Sequence, residues 1–417
     1  MLKRNRLIQL TLIVLLLLTA TAVSAKGIPP FAAVQDSTLL LSGFGENVIE
    51  IIDSNIRGIF NTAWSPDGSK LAYVTYDLEY NYHLMVTDIT GATPFEVSTD
   101  HLENGFPITF ASDGTLLFVE QGILGQSPTD AYDVTLKAVE PVVGAAPESV
   151  GSFTYGVGCG GGSPYPGDWR YSSEAGFGGY ALTLAVIPGV GVVHSINCGG
   201  SGLAIFDPGT GEDHMLGEDI GRARISPDNM TVAAIRTVYH EPDLIRSLVL
   251  VDIASGAVTD VQTDTSPDQL TWSPDGTLFY STREMDGNLV ADLTPDEQEA
   301  LNTAIGYVPD ELPSYTVTIH HYDPSAGTDR LVYTGDGYAI GRLQSPLADM
   351  VVFSQIANQG DWLQGIVNGT IDPLYGNGET EQLAAVPVTL YLLPPQTSTP
   401  VEIGQNLAQF NLQPVTQ

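Results

Sequence analysis

The sequence predicts an all-β fold: a single propeller of four-stranded antiparallel blades. Three observations lead there. The phrase WSPDG occurs twice, at Trp64 to Gly68 and Trp272 to Gly276, in a chain with only four tryptophans. Three degenerate copies share its order of apolar residue, polar turn and β-rich run: FASDGTLLFVE from Phe110, ISPDNMTVAAIRT from Ile225 and LQSPLADMVVFSQ from Leu343. A second phrase keeps step with the first, in HLMVTDITGATPFEVST, GLAIFDPGTGEDHML, SLVLVDIASGAVTDVQT and IHHYDPSAGTDRLVYT, each an alternating strand, an Asp, a Gly-containing turn and another strand. Four short strands recurring at 46 residues (Trp64 to Phe110) and 47 residues (Ile225 to Trp272) describe a propeller blade.

Turn chemistry explains the repeated phrase. Pro66 and Pro274 preset φ, Asp67 and Asp275 bond the backbone that follows, and Gly68 and Gly276 take the left-handed conformation. Trp64 and Trp272, at the end of the innermost strand, are large apolar wedges between neighbouring blades. These residues read as architectural, not catalytic. Through these motifs the sequence resembles the TolB-like, WD40-like family of propellers, whose repeats carry W-S-P-D-G. The resemblance covers most of the chain. It implies the fold, and it leaves function among scaffolds, receptors and accessory domains of peptidases.

Six units lie between about Ile56 and Glu402, the third of them irregular, with GGYALTLAVIPGVGVVHSINCGG in place of the SPDG turn. Outside them, TLLLSGFGENVIEIID near the start and LAQFNLQPV near the end predict a seventh blade completed from both termini, which removes the exposed sheet edge. Six or eight blades stay open. The expected layout is a signal peptide over 1–25, a linker over 26–36 and the propeller over 37–417.

The leader rests on Lys3, Arg4 and Arg6 ahead of the apolar stretch Leu7 to Val23, with the small residues Val23-Ser24-Ala25 at a cleavage point. An uncleaved anchor is the alternative, because the stretch is close to spanning length. No later segment is long and apolar enough to span a bilayer, so a secreted or periplasmic protein is expected, as a monomer. Acidic residues number 49 against 15 basic, a formal net charge of −34. That surface disfavours nucleic acid and anionic lipid. Two cysteines in an exported chain, Cys159 and Cys198, most simply form one disulfide.

With the blade register assigned, three long insertions fall on the face opposite the SPDG turns, at about 154–179, 283–315 and 356–386. Thr294 followed by Pro295, Asp296 and Glu297 marks a helix start within the second. Long loops on a rigid scaffold are where binding usually resides. The candidate ligand-binding residues there are Tyr82, His83, Trp169, Arg170, His240, Asp361 and Trp362. Aromatics interleaved with carboxylates suit a protein, peptide or glycan ligand. Equally, the tryptophans pack their own loops.

Catalytic motifs are missing from these residues. There is no G-x-S-x-G elbow, no H-E-x-x-H, no P-loop, no EF-hand loop and no sialidase S-x-D-x-G-x-x-W box. No cofactor is expected, and no ligand spacing supports a Ca²⁺ site. Two function classes follow: a non-catalytic binding scaffold, which the missing motifs favour, and a propeller hydrolase or lyase that draws on His83, His240, Glu241 and Asp243, with or without a metal.

Overall fold

The computed structural model describes residues 30–35, 38–42, 50–53, 59–77, 81–89, 94–98, 108–121, 132–155, 184–187, 191–197, 201–207, 209–240, 243–261, 266–288, 293–305, 313–358, 388–395, 397–405 and 409–413. Their strands form seven four-stranded antiparallel sheets. Six are consecutive in sequence and are numbered here as blades one to six, over 59–98, 108–155, 184–218, 220–261, 267–336 and 339–405. The closing blade takes three strands from the N-terminal side, Phe31–Gln35, Thr38–Ser42 and Glu50–Asp53, and its innermost strand, Gln409–Leu412, from the C-terminal side. Segment 26–36, expected as a linker, therefore contributes a strand. FAAVQ buries both faces, Phe31 and Ala33 against blade six and Ala32 against blade one, and pairs with both neighbours, Phe31 opposite Ser42 on one side and Leu412 on the other.

Alternation within each strand feeds two seams at once. In the second strand of blade four, Thr231–His240, Val232 and Ala234 pack toward blade three with Val193, Leu203 and Ile205. Ala233 and Ile235 face blade five with Leu270, Leu278 and Tyr280. Burial on both faces is why this strand reads TVAAI with no polar alternation. The same pattern runs round the ring: Val86 with Phe118 between blades one and two, Ile319 with Phe353 between five and six, Val352 with Phe410 between six and the closing blade, and Leu39 with Tyr73 between the closing blade and blade one. Between blades two and three, Phe206 lies over Gly151, where an added Cβ would come within 2.3 Å of the ring.

The repeated turns use their polar groups internally. Asp67 Oδ1 accepts from Ser65 Oγ at 2.6 Å and Ser69 N at 3.0 Å, and Gly68, at φ +69°, donates to Ser65 O. In blade four Asn229 takes the glycine's place at φ 60°, while Asp228 accepts from Ser226 Oγ and Met230 N. Asn is the substitute that tolerates this conformation best. The indoles of the motif bridge seams. Trp64 Nε1 donates to Asn411 O of the closing blade, and Trp272 Nε1 to Arg224 O of blade four, each at 2.9 Å.

These hydrogen bonds lower the turn carboxylates. Asp67 is pulled down to about 2 by Ser65 and then Ser69, and Asp228 and Asp113 are lowered by the hydroxyl and backbone donors of their own turns. Ionised turn aspartates favour the folded state, and that contribution disappears as pH falls from the unfolded value, about 4, through the lower folded one. Thermal stability is expected to decline progressively between about pH 4 and about pH 2. Asp67→Asn should flatten the lower end of that decline. Melting temperature against pH, read by circular dichroism, checks this, and a flat profile below pH 4 would contradict it.

First-to-second and third-to-fourth strand connections share the turn face. The remaining connections share the opposite, loop face. Three long segments lie there: 156–183 before the first strand of blade three, 289–312 within blade five and 357–387 within blade six. The blade-five hairpin outlasts its expected extent, since its strands run through Asn288 and resume at Pro313, so Arg283 is strand rather than loop. Asp286 clamps that extension by accepting from Ser314 Oγ and Thr316 Oγ1 across it. The expected helix forms over Pro295–Ile305, capped by Thr294 and Glu297, which bond each other's backbone N–H groups.

Candidate functional site

The loop-face ends of blades four, five and six carry a cluster of three arginines about one carboxylate. Asp268 is the second residue of the first strand of blade five, Pro267–Trp272, where a bulge after Pro267 breaks the register with the next strand. Its residue is only 7% exposed. Arg246, from the third strand of blade four, donates through Nη1 to Asp268 Oδ1 at 2.8 Å. Arg222 lies 3.4 Å from the same oxygen and also donates to the Asp268 carbonyl. Arg283, from the second strand of blade five, places Nε 3.3 Å from Oδ2.

Backbone geometry aims Arg222. The first strand of blade four, Ile220–Ile225, has a bulge between Gly221 and Arg224, and Arg222 sits in it at φ 51°. A left-handed non-glycine residue is uncommon, and bulges redirect side chains. Arg283 is held differently. Its guanidinium lies 5.0 Å from the ring centroid of Tyr315 and 4.9 Å from that of Tyr338, and Nη1 is 3.4 Å from the Tyr338 carbonyl. The two rings meet edge to face, so Tyr338, just ahead of blade six, ties a third blade into the cluster.

One carboxylate against three guanidinium groups leaves two net positive charges, in a chain whose formal charge is −34. The arginine side chains keep 28–29% of their surface exposed, so the cluster is packed below and open above. Burial pushes Arg222 below its ordinary value, reinforced by Arg246 and Arg283 and opposed by Asp268. Burial also acts against Arg283, but Asp268, Tyr338 and Tyr315 outweigh it and the net direction is upward. Like charges pressed together and partly desolvated are stabilised by an incoming anion. Exposed apolar residues lie on the same strands: Ile245 beside Arg246, and Met285 two residues beyond Arg283.

No family model matches the chain, and no curated protein matches it. Solved structures do. An acylaminoacyl peptidase from Pyrococcus horikoshii superimposes with a TM-score of 0.51 at 12% identity, over 90% of this chain and 50% of that one. TolB from Acinetobacter baumannii is matched at 15% identity and a TM-score of 0.42, over 75% of this chain and 65% of that one. A putative TolB from Agrobacterium tumefaciens is matched at 10% identity and a TM-score of 0.40, over 74% and 89%. In fold the chain is a β-propeller. It spans about half the length of the peptidase and just under two thirds of the Acinetobacter protein.

Of the residues expected to bind, three lie on described strands, in blades one and four. Tyr82 and His83 open the third strand of blade one, Tyr82–Asp88. Tyr82 packs against the core between blades one and two. His83 is clasped by acids, Nδ1 2.8 Å from Glu96 Oε2 and Nε2 3.4 Å from Asp77 Oδ2. His240 ends the second strand of blade four, opposite Asp243. It stands at the same face as His83, with blades two and three between them round the ring. Trp169, Arg170, Asp361 and Trp362 lie outside the described residues, as do Cys159, Cys198 and the leader. Among the described residues no helix is long and apolar enough to cross a membrane, and no group of three or more His, Cys, Asp or Glu is placed to hold a metal ion.

A groove of about 460 Å³ lies on the opposite, turn face of the propeller, between blades one and two. Asp67, Asp113, Glu140 and Lys70 line it. Its two aspartates are already engaged, accepting from their own turns, and Lys70 Nζ donates to Pro141 O at 2.7 Å. The arginine cluster, which the motif search missed, is the better candidate. One signal for it exists in sequence: seven of the fifteen basic residues, all arginines, fall between Arg222 and Arg342.

Proposed function

We propose that the protein is an exported, non-catalytic binding scaffold that docks its partner on the loop face. The observation that carries this reading is the open arginine cluster at that face, contrasted with turn-face polar groups that are spent within their own turns. The strands at that face are joined by three long connections, and long connections on a rigid scaffold are where a protein, peptide or glycan is usually bound. Export is supported by the basic, then apolar, then small-residue order of the first 25 residues. The absence of a compact catalytic motif supports binding over turnover.

The test immobilises protein lacking residues 1–25 and exposes it to the envelope and secreted fractions of the source organism. Parent protein is compared with a loop-face variant, Trp169→Ala with Trp362→Ala, and a turn-face variant, Val143→Ser. Expected is one identified ligand, retained by the parent and the turn-face variant and reduced about tenfold or more on the loop-face variant. Equal retention by all three would contradict the reading. So would turnover of glycoside, ester or peptide substrates that a single His or carboxylate change abolishes.

A further inference from the structure

The cluster has a more specific property than its location. Resting on the loop-face reading above, we infer that Arg222, Arg246 and Arg283 form a receptor for a carboxylate group of the ligand, with Asp268 as the internal carboxylate that organises them. Four guanidinium nitrogens of the nine are engaged by described residues: Nη1 of Arg222, Nη1 of Arg246, and Nε and Nη1 of Arg283. Each guanidinium carries five N–H donors in a planar fork, so whole edges remain for an outside acceptor. An inter-blade staple would need one arginine for one carboxylate. The second and third add like charge beside Asp268, which a further anion relieves.

Charge selects the kind of anion. The local excess of two matches the charge of a dicarboxylate, and the −34 of the whole chain disfavours anything more highly charged. Asp268 meets each arginine through a single nitrogen, so the planar guanidinium edges left over suit a second, planar carboxylate. Arg283, sandwiched with Tyr315 and Tyr338, is pre-positioned and loses little freedom when the ligand arrives. The exposed Met285, two residues beyond Arg283 and so on its side of the strand, sets an apolar border suited to the carbon skeleton behind the carboxylate.

The probe is succinate, titrated at constant ionic strength by calorimetry and by thermal shift, with inorganic phosphate and sulfate alongside. For the parent, a succinate concentration ten times Kd is expected to raise the melting temperature on the order of 2 °C. Arg246→Ala should weaken succinate binding about tenfold or more, and Arg246→Lys, which keeps the charge and loses the fork, by less. Asp268→Asn should strengthen it about tenfold, because it removes the competing carboxylate and frees donors. A pure staple predicts the opposite: Asp268→Asn loses stability and gains no anion affinity.

Succinate affinity unchanged in Arg246→Ala overturns the inference, as does phosphate binding with equal strength and the same dependence on variants. Should Asp268→Asn not fold, the order of parent, Arg246→Lys and Arg246→Ala decides alone. If succinate fails while capture still depends on Trp169 and Trp362, the carboxylate receptor falls and the loop-face scaffold stands. If capture ignores the loop face while succinate binds with the expected order, the scaffold reading falls instead.

Discussion

Deleting residues 409–417 is expected to abolish cooperative folding of the propeller. Among the described residues no other strand takes the place of the innermost strand of the closing blade, Gln409–Leu412. Phe410 is 1% exposed and packs with Phe31, Met350 and Val352 across the last seam. The same strand supplies polar ties in both directions. Asn411 Nδ2 donates to Thr62 O in blade one, Leu412 N donates to Gln344 Oε1 in blade six, and Gln413 Nε2 donates to Gly68 O. Loss of the strand exposes the neighbouring sheet edge as well as the core. The milder Phe410→Ala should cost about 3–5 kcal/mol, the range for emptying an aromatic site in a packed core. Denaturant unfolding followed by circular dichroism checks both. An unchanged midpoint in Phe410→Ala would mean that the ring is not held shut there.

Trp64→Ala carries the second large effect, about 3–5 kcal/mol by the same reasoning. The indole is 7% exposed, lies in the cluster with Leu39, Leu71 and Tyr73, and reaches Asn411 O at 2.9 Å. Trp64→Phe separates the two contributions. It keeps most of the apolar wedge and leaves the Asn411 carbonyl without its donor, a loss of about 1–2 kcal/mol. The ratio of the two variants reports whether the motif's tryptophan acts mainly by filling or mainly by bonding. Equal losses in both would place the whole effect in the hydrogen bond, against the packing reading. Trp272, partly buried and bonded to Arg224 O, should show a smaller loss on truncation to Ala.

Much of the fold was readable because propeller turns demand particular residues. WSPDG and the D-x-x-x-G turns each need a left-handed position, so Gly68, Gly114, Gly211, Gly256, Gly276 and Gly327 recur in register. Terminal closure was also inferable, but the strand at Phe31–Gln35 was not: FAAVQ is short and carries no turn signal. The arginine cluster was invisible for a different reason. Its members come from three strands of blades four and five, spaced 24 and 37 residues apart from Arg222 to Arg246 to Arg283. No local spacing joins such residues; only the ring does. Of the expected aromatic and histidine pool, Tyr82 packs toward the core and His83 bonds Glu96 and Asp77, while Trp169, Arg170, Asp361 and Trp362 lie outside the described residues.

Ring closure by a strand that ends at Leu412 has a consequence for how the molecule is made. Trp64 and the Asn411 carbonyl it bonds are 347 residues apart in sequence. During synthesis or passage through a membrane, blades one to six emerge with their first and last edges unpaired. Only the final stretch brings them together. The chain therefore spends most of its production time as an open arc, and long-range pairing of this kind forms slowly. Chaperone dependence and early proteolysis should both track the interval before residue 412 is released, and a construction that places a bulky fusion directly after Gln413 should lengthen it.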